Sequence, residues 1–312
     1  MSRYVFSDSI PEYHPFRLYM DELPDWDGID RIDSLARRVS SVPLWVKCFH
    51  RWLLGMAAQW LETDRLHANS VSPALVSRTQ GKQKSTFCKL LLPRELQRYY
   101  TDSYDLSAQS AAECKLTEFG LINMDEFDKF TPRKMALLKN LMQVVNPCVR
   151  KAHQKNYRPL PRVASFIATS NQKELLTDPT GSRRFLCVEI ENKIDCSPLD
   201  YRQLYAQLKA ELLAGERYWF TSEEEAEIMA ANESYYKHPV EEDVFRSCFR
   251  PAEYGEKALM LSAAEIFQRL KKHNPAAMRS VSAGNFGKFL SSLGIERKHT
   301  ESGNYYRVVA LV

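Results

Sequence analysis

The sequence predicts an α/β fold: a core built around a phosphate-binding loop (P-loop), a helical subdomain before it and a small helix-and-hairpin domain after it. Three observations carry this. An apolar run, Pro73-Ala74-Leu75-Val76, gives way to the polar turn Gln80-Gly81-Lys82-Gln83-Lys84-Ser85-Thr86 and then to the apolar-rich Phe87-Cys88-Lys89-Leu90-Leu91-Leu92. Further short apolar runs near 121–124 and 163–170 end in polar groups and alternate with helical stretches, as parallel strands do. After about residue 245 the pattern becomes two helices and two strands around a Glu301–Asn304 turn, the layout of a winged helix. The expected divisions are 1–65 (helical subdomain), 66–220 (core), 221–244 (acidic helical linker) and 245–312 (winged-helix-like).

Composition narrows the class. The chain has 312 residues, 44% hydrophobic and 26% charged, which suits a soluble globular protein with ample core. No apolar run reaches the length of a membrane span and the first residues lack a signal peptide's apolar centre, so a cytoplasmic location is the expectation. Seven scattered cysteines without a CxxC pair point to reduced thiols, neither a disulfide framework nor a zinc site. Net charge is only +4, but it is unevenly spread. Residues 77–98 carry six Lys/Arg against one acid, residues 146–162 five against none and residues 269–299 seven against one, while 221–243 hold eight acids against one lysine. Such patches suit a polyanion binder, though solvated faces look similar.

Taken in order, residues 11–28 read as a proline-bounded turn into a short helix. Apolar residues at helical spacing follow from Ile32 to Glu62. The four tryptophans in residues 1–60 read as core more readily than as a ligand platform.

The loop comes next. Backbone N–H groups of such a turn cradle phosphates, the lysine reaches the outer ones and the hydroxyl serves Mg²⁺. Gln80 to Thr86 are therefore the candidate nucleotide-binding residues. The full pattern wants glycine where this chain has Arg78 and Gln83. A side chain at Gln83 weakens binding or slows turnover if the turn needs a left-handed backbone there.

Residues 99–110 read as a short strand and loop, and 109–119 as a helix. Gly120 to Met124 is a buried strand delivering Asp125 and Glu126 to its C-terminal edge, where one carboxylate can hold Mg²⁺ and the next polarise water. A solvated turn looks the same. A helix over 132–146 leads into residues 147–162, a basic hairpin or loop with Arg150, Lys151, Lys155, Tyr157 and Arg158 as candidate DNA contacts: charge for phosphates, the ring for a base.

Val163 to Ser170 is another strand, with Asn171 at its end to orient water or serve as a turn residue. A Pro/Gly turn then presents Arg183 and Arg184, placed to offset charge on a transferring phosphoryl group within the chain or across a subunit boundary. Helices over 199–214 and 222–235 follow.

In this order, these pieces resemble the virulence-associated E family of phage and mobile-element proteins. Its ATPase core is similar to superfamily three helicases of the AAA+ class. The matching residues are Tyr13-His14-Pro15 with Trp26-Asp27-Gly28, Gln80-Gly81 with Lys84-Ser85-Thr86, Asn123 to Asp128, Ala168 to Asn171, and Asp178 to Gly181 with Arg183-Arg184-Phe185. The resemblance implies a phosphate-binding Lys84, Mg²⁺ held by Ser85 and Asp125, Glu126 as general base, Asn171 as sensor, Arg183 or Arg184 as arginine finger, and 150–158 as a pore hairpin. ATP and Mg²⁺ are the implied cofactors, and DNA and a homo-oligomeric ring, a hexamer, the implied partners. Family members often carry a primase-like domain ahead of this region, so a fused or separate priming partner is expected.

The expected function is thus an ATP-dependent helicase or translocase acting in replication of a mobile element. A DNA-binding replication or regulatory protein with a non-hydrolysing nucleotide site is the alternative. A protein-binding adaptor acting through the C-terminal module is a third.

Overall fold

The computed structural model describes residues 13–63, 66–149, 156–177, 179–237, 240–253, 255–300 and 303–311. The chain forms two compact units, Met1–Tyr236 and Lys237–Val312.

The first unit starts with helices whose ends are set locally. Pro15 begins α1 (Pro15–Asp21), where His14 Nδ1 accepts the Arg17 N–H at 3.0 Å. Asp30 caps α2 (Arg31–Arg37), accepting from Ile32 and Asp33. The long α3 (Pro43–Leu61) is apolar enough to be buried along most of its length, with Trp45, Trp52 and Trp60 fully enclosed. Burial of each such side chain contributes roughly 1.5–3 kcal/mol. These three tryptophans are core, as their helical spacing indicates, whereas Trp26 is half-buried and its Nε1 donates to the Ile29 carbonyl at 3.0 Å. Trp60 stacks on Tyr205 of α7 (Tyr201–Leu213), with ring centroids 5.2 Å apart.

The core sheet contains β1 (Ser72–Val76), β2 (Tyr100–Thr101), β3 (Leu121–Met124), β6 (Ser165–Ser170) and β7 (Phe185–Glu189) in the order β2-β3-β6-β1-β7, with every pair parallel. Both faces are covered, so the strands read as uninterrupted apolar runs. From β1 the chain crosses to the far edge through α4 (Lys84–Leu90), whose Phe87 and Cys88 join the core shared with α3. It returns through α5 (Gln109–Leu116) and α6 (Pro132–Leu141), which pack on the opposite face. Right-handed crossovers demand this change of face when the direction of travel reverses. The chain therefore leaves the neighbouring strands β1 and β6 toward opposite faces, opening a crevice at their C-terminal ends.

One side chain finishes the sheet. At the free edge of β7, the Asn232 amide accepts the Cys187 N–H at 3.3 Å and donates to the Phe185 carbonyl at 2.7 Å, taking the place of a sixth strand's peptide. Asn232 follows α8 (Ser222–Ala231), so this part of the acidic stretch belongs to the first unit.

Between α6 and β6 lies a short ladder of β4 (Cys148–Val149) and β5 (Arg158–Pro159). Arg162, which the sequence placed at the end of a basic loop, is not a surface cation. It is 3% exposed and donates to the carbonyls of Leu141, Met142, Ala164 and Asn69. The buried Asn69 side chain donates in turn to Trp52 O and Ser165 Oγ, and Gly55 allows its approach: a Cβ there would sit 2.8 Å from Asn69.

The second unit comprises α9 (Val240–Cys248), β8 (Phe249–Pro251), β9 (Leu259–Ser262), α10 (Ala263–His273), α11 (Ala283–Ser292), β10 (Arg297–Thr300) and β11 (Gly303–Ala310). A capping box of Ser262 and Glu265 starts α10, and Leu261 lies in β9 just before it. β11 pairs antiparallel with β8, β9 and β10 over a core that includes Phe245, Ile266, Phe286 and Val308.

Candidate nucleotide site in the first unit

Residues 80–86, Asp125, Glu126 and 169–171 line one cleft of about 250 Å³ in the crevice between β1 and β6. The loop geometry explains which residues it needs. Gly81 has φ +80°, and Gln83 has φ +65° while capping α4. The backbone at 83 has thus kept the left-handed turn that glycine would favour, at a cost of about 1–3 kcal/mol for a side-chain-bearing residue. Lys82 ties the loop outward, donating to the Glu191 carbonyl at 2.7 Å, and Ile194 N–H donates to Lys82 O at 3.2 Å.

Lys84 sits inside, 8% exposed. Its Nζ donates to Asn171 Oδ1 at 3.0 Å and to Ser77 Oγ at 3.3 Å. Burial pulls its pKa below the ordinary ammonium value, while Asp125 and Asp128 act to raise it. Ser85 and Thr86 are exposed on the cleft wall.

On the β3 side, Asp125 accepts a hydrogen bond from Thr169 Oγ1 and, through Oδ1, from the Glu126 N–H at 3.1 Å. Ser170 Oγ donates to Asp128 at 2.8 Å. The end of β6 thus presents Thr169, Ser170 and Asn171 to Asp125, Asp128 and Lys84 in turn. Sequence reasoning gave roles to Asp125, Lys84 and Asn171 but missed Ser77, Thr169 and Asp128. Ser77 directly follows a strand, and Thr169 and Asp128 fall within the runs Ala168 to Asn171 and Asn123 to Asp128. Glu126 takes φ +51°, and its carboxylate meets Lys129 Nζ at 2.6 Å.

The two arginines stand elsewhere. Phe185 at the start of β7 is in register with Ser72, so Arg183 and Arg184 lie at the N-terminal end of the sheet. That is about 13 Å of strand from the C-terminal edge. Arg183 pairs with Glu225 of α8 at 3.0 Å. They do not reach this chain's own cleft. Of the candidate DNA contacts, Arg150, Lys151 and Lys155 lie outside the described residues, while Tyr157 (58% exposed) and Arg158 are at the surface.

Fold and cleft define a mixed α/β protein with a lysine-bearing loop at the switch point of a parallel sheet. The virulence-associated protein E-like domain matches residues 20–237, and the chain belongs to that family. Residues 238–308 match a domain of unknown function described from B. Theta, DUF3874. No curated protein gives a match. Among solved structures, the A form apo structure of the NrS-1 C-terminal region is 16% identical with TM-score 0.41, over 69% of this chain and 46% of that one. The chain therefore spans under half of that structure. An apo structure of the same region is 14% identical with TM-score 0.46, over 94% and 78% of the two chains. Among the described residues, no helix is long and apolar enough to cross a membrane.

Proposed function

We propose that the first unit is a P-loop, AAA+-type core and that the protein is a Mg²⁺-dependent ATPase acting on DNA during replication of a mobile element, working as a homo-oligomeric ring. The observation that carries this is the meeting of Lys84, Asp125, Thr169 and Asn171 in one cleft at the switch point. The donors suit their tasks. One hydroxyl and one carboxylate, Ser85 and Asp125, are the hard oxygen set that Mg²⁺ takes together with phosphate oxygens; the ion would offset phosphate charge. Lys84 offers an ammonium already desolvated, so its attraction for an anion is little screened. Asn171 holds that ammonium in place. Glu126 accepts the proton of attacking water once its carboxylate leaves Lys129. Arg183 or Arg184 serves a neighbouring subunit's cleft, since neither reaches its own.

Phosphate release, measured with and without single-stranded DNA on wild type and Lys84→Ala, tests this. Equal, background-level release by both proteins sinks the enzyme reading. The competing reading, a DNA-binding protein that keeps nucleotide as a structural ligand, is favoured by the Lys129–Glu126 ion pair, which occupies the base. It predicts nucleotide binding lost in Lys84→Ala but no turnover in Lys129→Ala. Turnover that requires Arg183 and Arg184 in a different subunit from Lys84, scored by mixing the two variants, supports the ring.

A further inference from the structure

We infer that the second unit grips the phosphate backbone of double-stranded DNA, with β10 at the centre of the contact surface. This deepens the reading that the chain acts on DNA, and assigns a partner to the part whose family has no known function.

The inference starts from how charges are paired. Four acids of this unit are spent on internal partners, while among the described residues Glu241, Asp243 and Glu253 are not. Glu242 pairs with Arg246 at 2.7 Å, Glu256 with Arg250 at 2.5 Å, Glu296 with Arg307 at 3.0 Å, and Glu265 caps α10 through Ser262. The Arg250 guanidinium holds the Glu256 carboxyl down to about 2, so that pair stays ionised across the working pH range. The cations Lys271, Lys272, Arg279, Arg297 and Lys298 are exposed and form no ion pair among the described residues. The unit therefore carries uncompensated positive charge on α10, on the turn after it and on both sides of β10, where successive residues alternate, the electrostatic footprint of a polyanion site.

β10 concentrates it. Arg297, Lys298 and His299 are consecutive and exposed on the strand that closes the antiparallel ladder. Arg297 is in register with Tyr306, whose hydroxyl donates to Gly287 O of α11 at 3.0 Å, so the strand runs beside that helix. The described outward positions of α11, Ser282 at its cap, Ala283, Gly284 and Ser291, are small. They let a backbone approach closely.

Duplex is favoured over single strand by what is missing. Single-strand sites combine charge with aromatic platforms. The exposed large apolar side chains described in this unit are Val240, Leu259, Met260 and Leu311, with no aromatic ring among them, and Tyr305, opposite Lys298, is half-buried. The exposed ring of the chain's basic hairpin, Tyr157, belongs to the first unit. Cations on an edge strand also discourage strand pairing, a role that predicts no salt-linked binding.

The test uses the full chain without nucleotide and two fluorescein-labelled 30-base-pair duplexes of unrelated sequence, titrated at several salt concentrations and competed with unlabelled single strands. The variants are Arg297→Glu with Lys298→Glu, and Arg37→Ala, an exposed arginine of the first unit, as control. Expected are equal affinities for both duplexes and a salt slope shallower by about 1.8 in the double variant, from two lost phosphate contacts. Affinity at low salt should fall by tenfold or more, with unchanged melting temperature and an unaltered control. An unchanged slope and affinity in the double variant overturns the inference, as does preference for single strands that survives the substitutions, or tight binding of only one duplex. Phosphate release by the double variant is read separately, so loss of the ATPase reading leaves this result interpretable.

Discussion

Asn171 Oδ1 accepts from Lys84 Nζ at 3.0 Å, so the residue after β6 holds the buried ammonium of the loop after β1. Lys84→Met removes a charge that burial disfavours and fills the space with apolar atoms, so the variant should melt at or above the wild-type temperature. ATP with Mg²⁺ should raise the melting temperature of wild type only. Asn171→Ala should instead destabilise by about 1–3 kcal/mol, because it takes an acceptor from a buried charge. Comparable destabilisation in both variants would show that Lys84 is a structural partner and not a held ligand group.

Gln83 has φ +65°. Gln83→Gly relieves left-handed strain but frees the unfolded chain, so the net gain should be small, about 0–1 kcal/mol in urea unfolding. Nucleotide affinity should be kept or improved, since the backbone already has the turn's shape. A clear loss of affinity would mean that the Gln83 side chain itself contributes.

Glu224 is buried between Arg217, at 2.7 Å, and Arg51. The Arg217 guanidinium lowers its carboxyl from 4.5 to about 2. The folded value lies below the unfolded one, so the stabilisation is full above pH 4.5 and is lost as pH falls toward 2. Glu224→Gln should cost about 3 kcal/mol near neutrality and converge on wild type at the acid end. Chemical unfolding from pH 7 down to 3 checks this; a constant difference across the range would contradict it.

At the edge of β7, Asn232→Ala leaves the Cys187 N–H and the Phe185 carbonyl without the side-chain amide that serves both. A loss of about 2 kcal/mol and faster hydrogen exchange at Cys187 are expected. Unchanged exchange would place another partner there.

Much of this was legible because it is periodic or local. Helical spacing located α3 and its tryptophan core, and the apolar runs at 72–76, 121–124 and 165–170 are the strands that build the cleft. Lys84, Asp125 and Asn171 could be picked out because each closes or follows one of these runs. What could not be read depends on distant pairing. Arg162 belongs to a basic stretch by sequence, yet carbonyls from the end of α6, from Asn69 and from its near neighbour Ala164 enclose it. Arg183 sits in a turn like any exposed arginine, and only the register of β7 with β1 shows that it faces away from the cleft. Asn232 carries no pattern at all, because its role is set by where the sheet happens to end.

The enclosure of Arg162 also bears on force. It stands three residues beyond β5 and is fastened to the C-terminal end of α6 and to Asn69, three residues before β1 starts at Ser72. Slack that would let a hairpin flop is missing at its root. A pull on β5 is therefore borne by α6 and the approach to β1, rather than dissipated in a loose hinge.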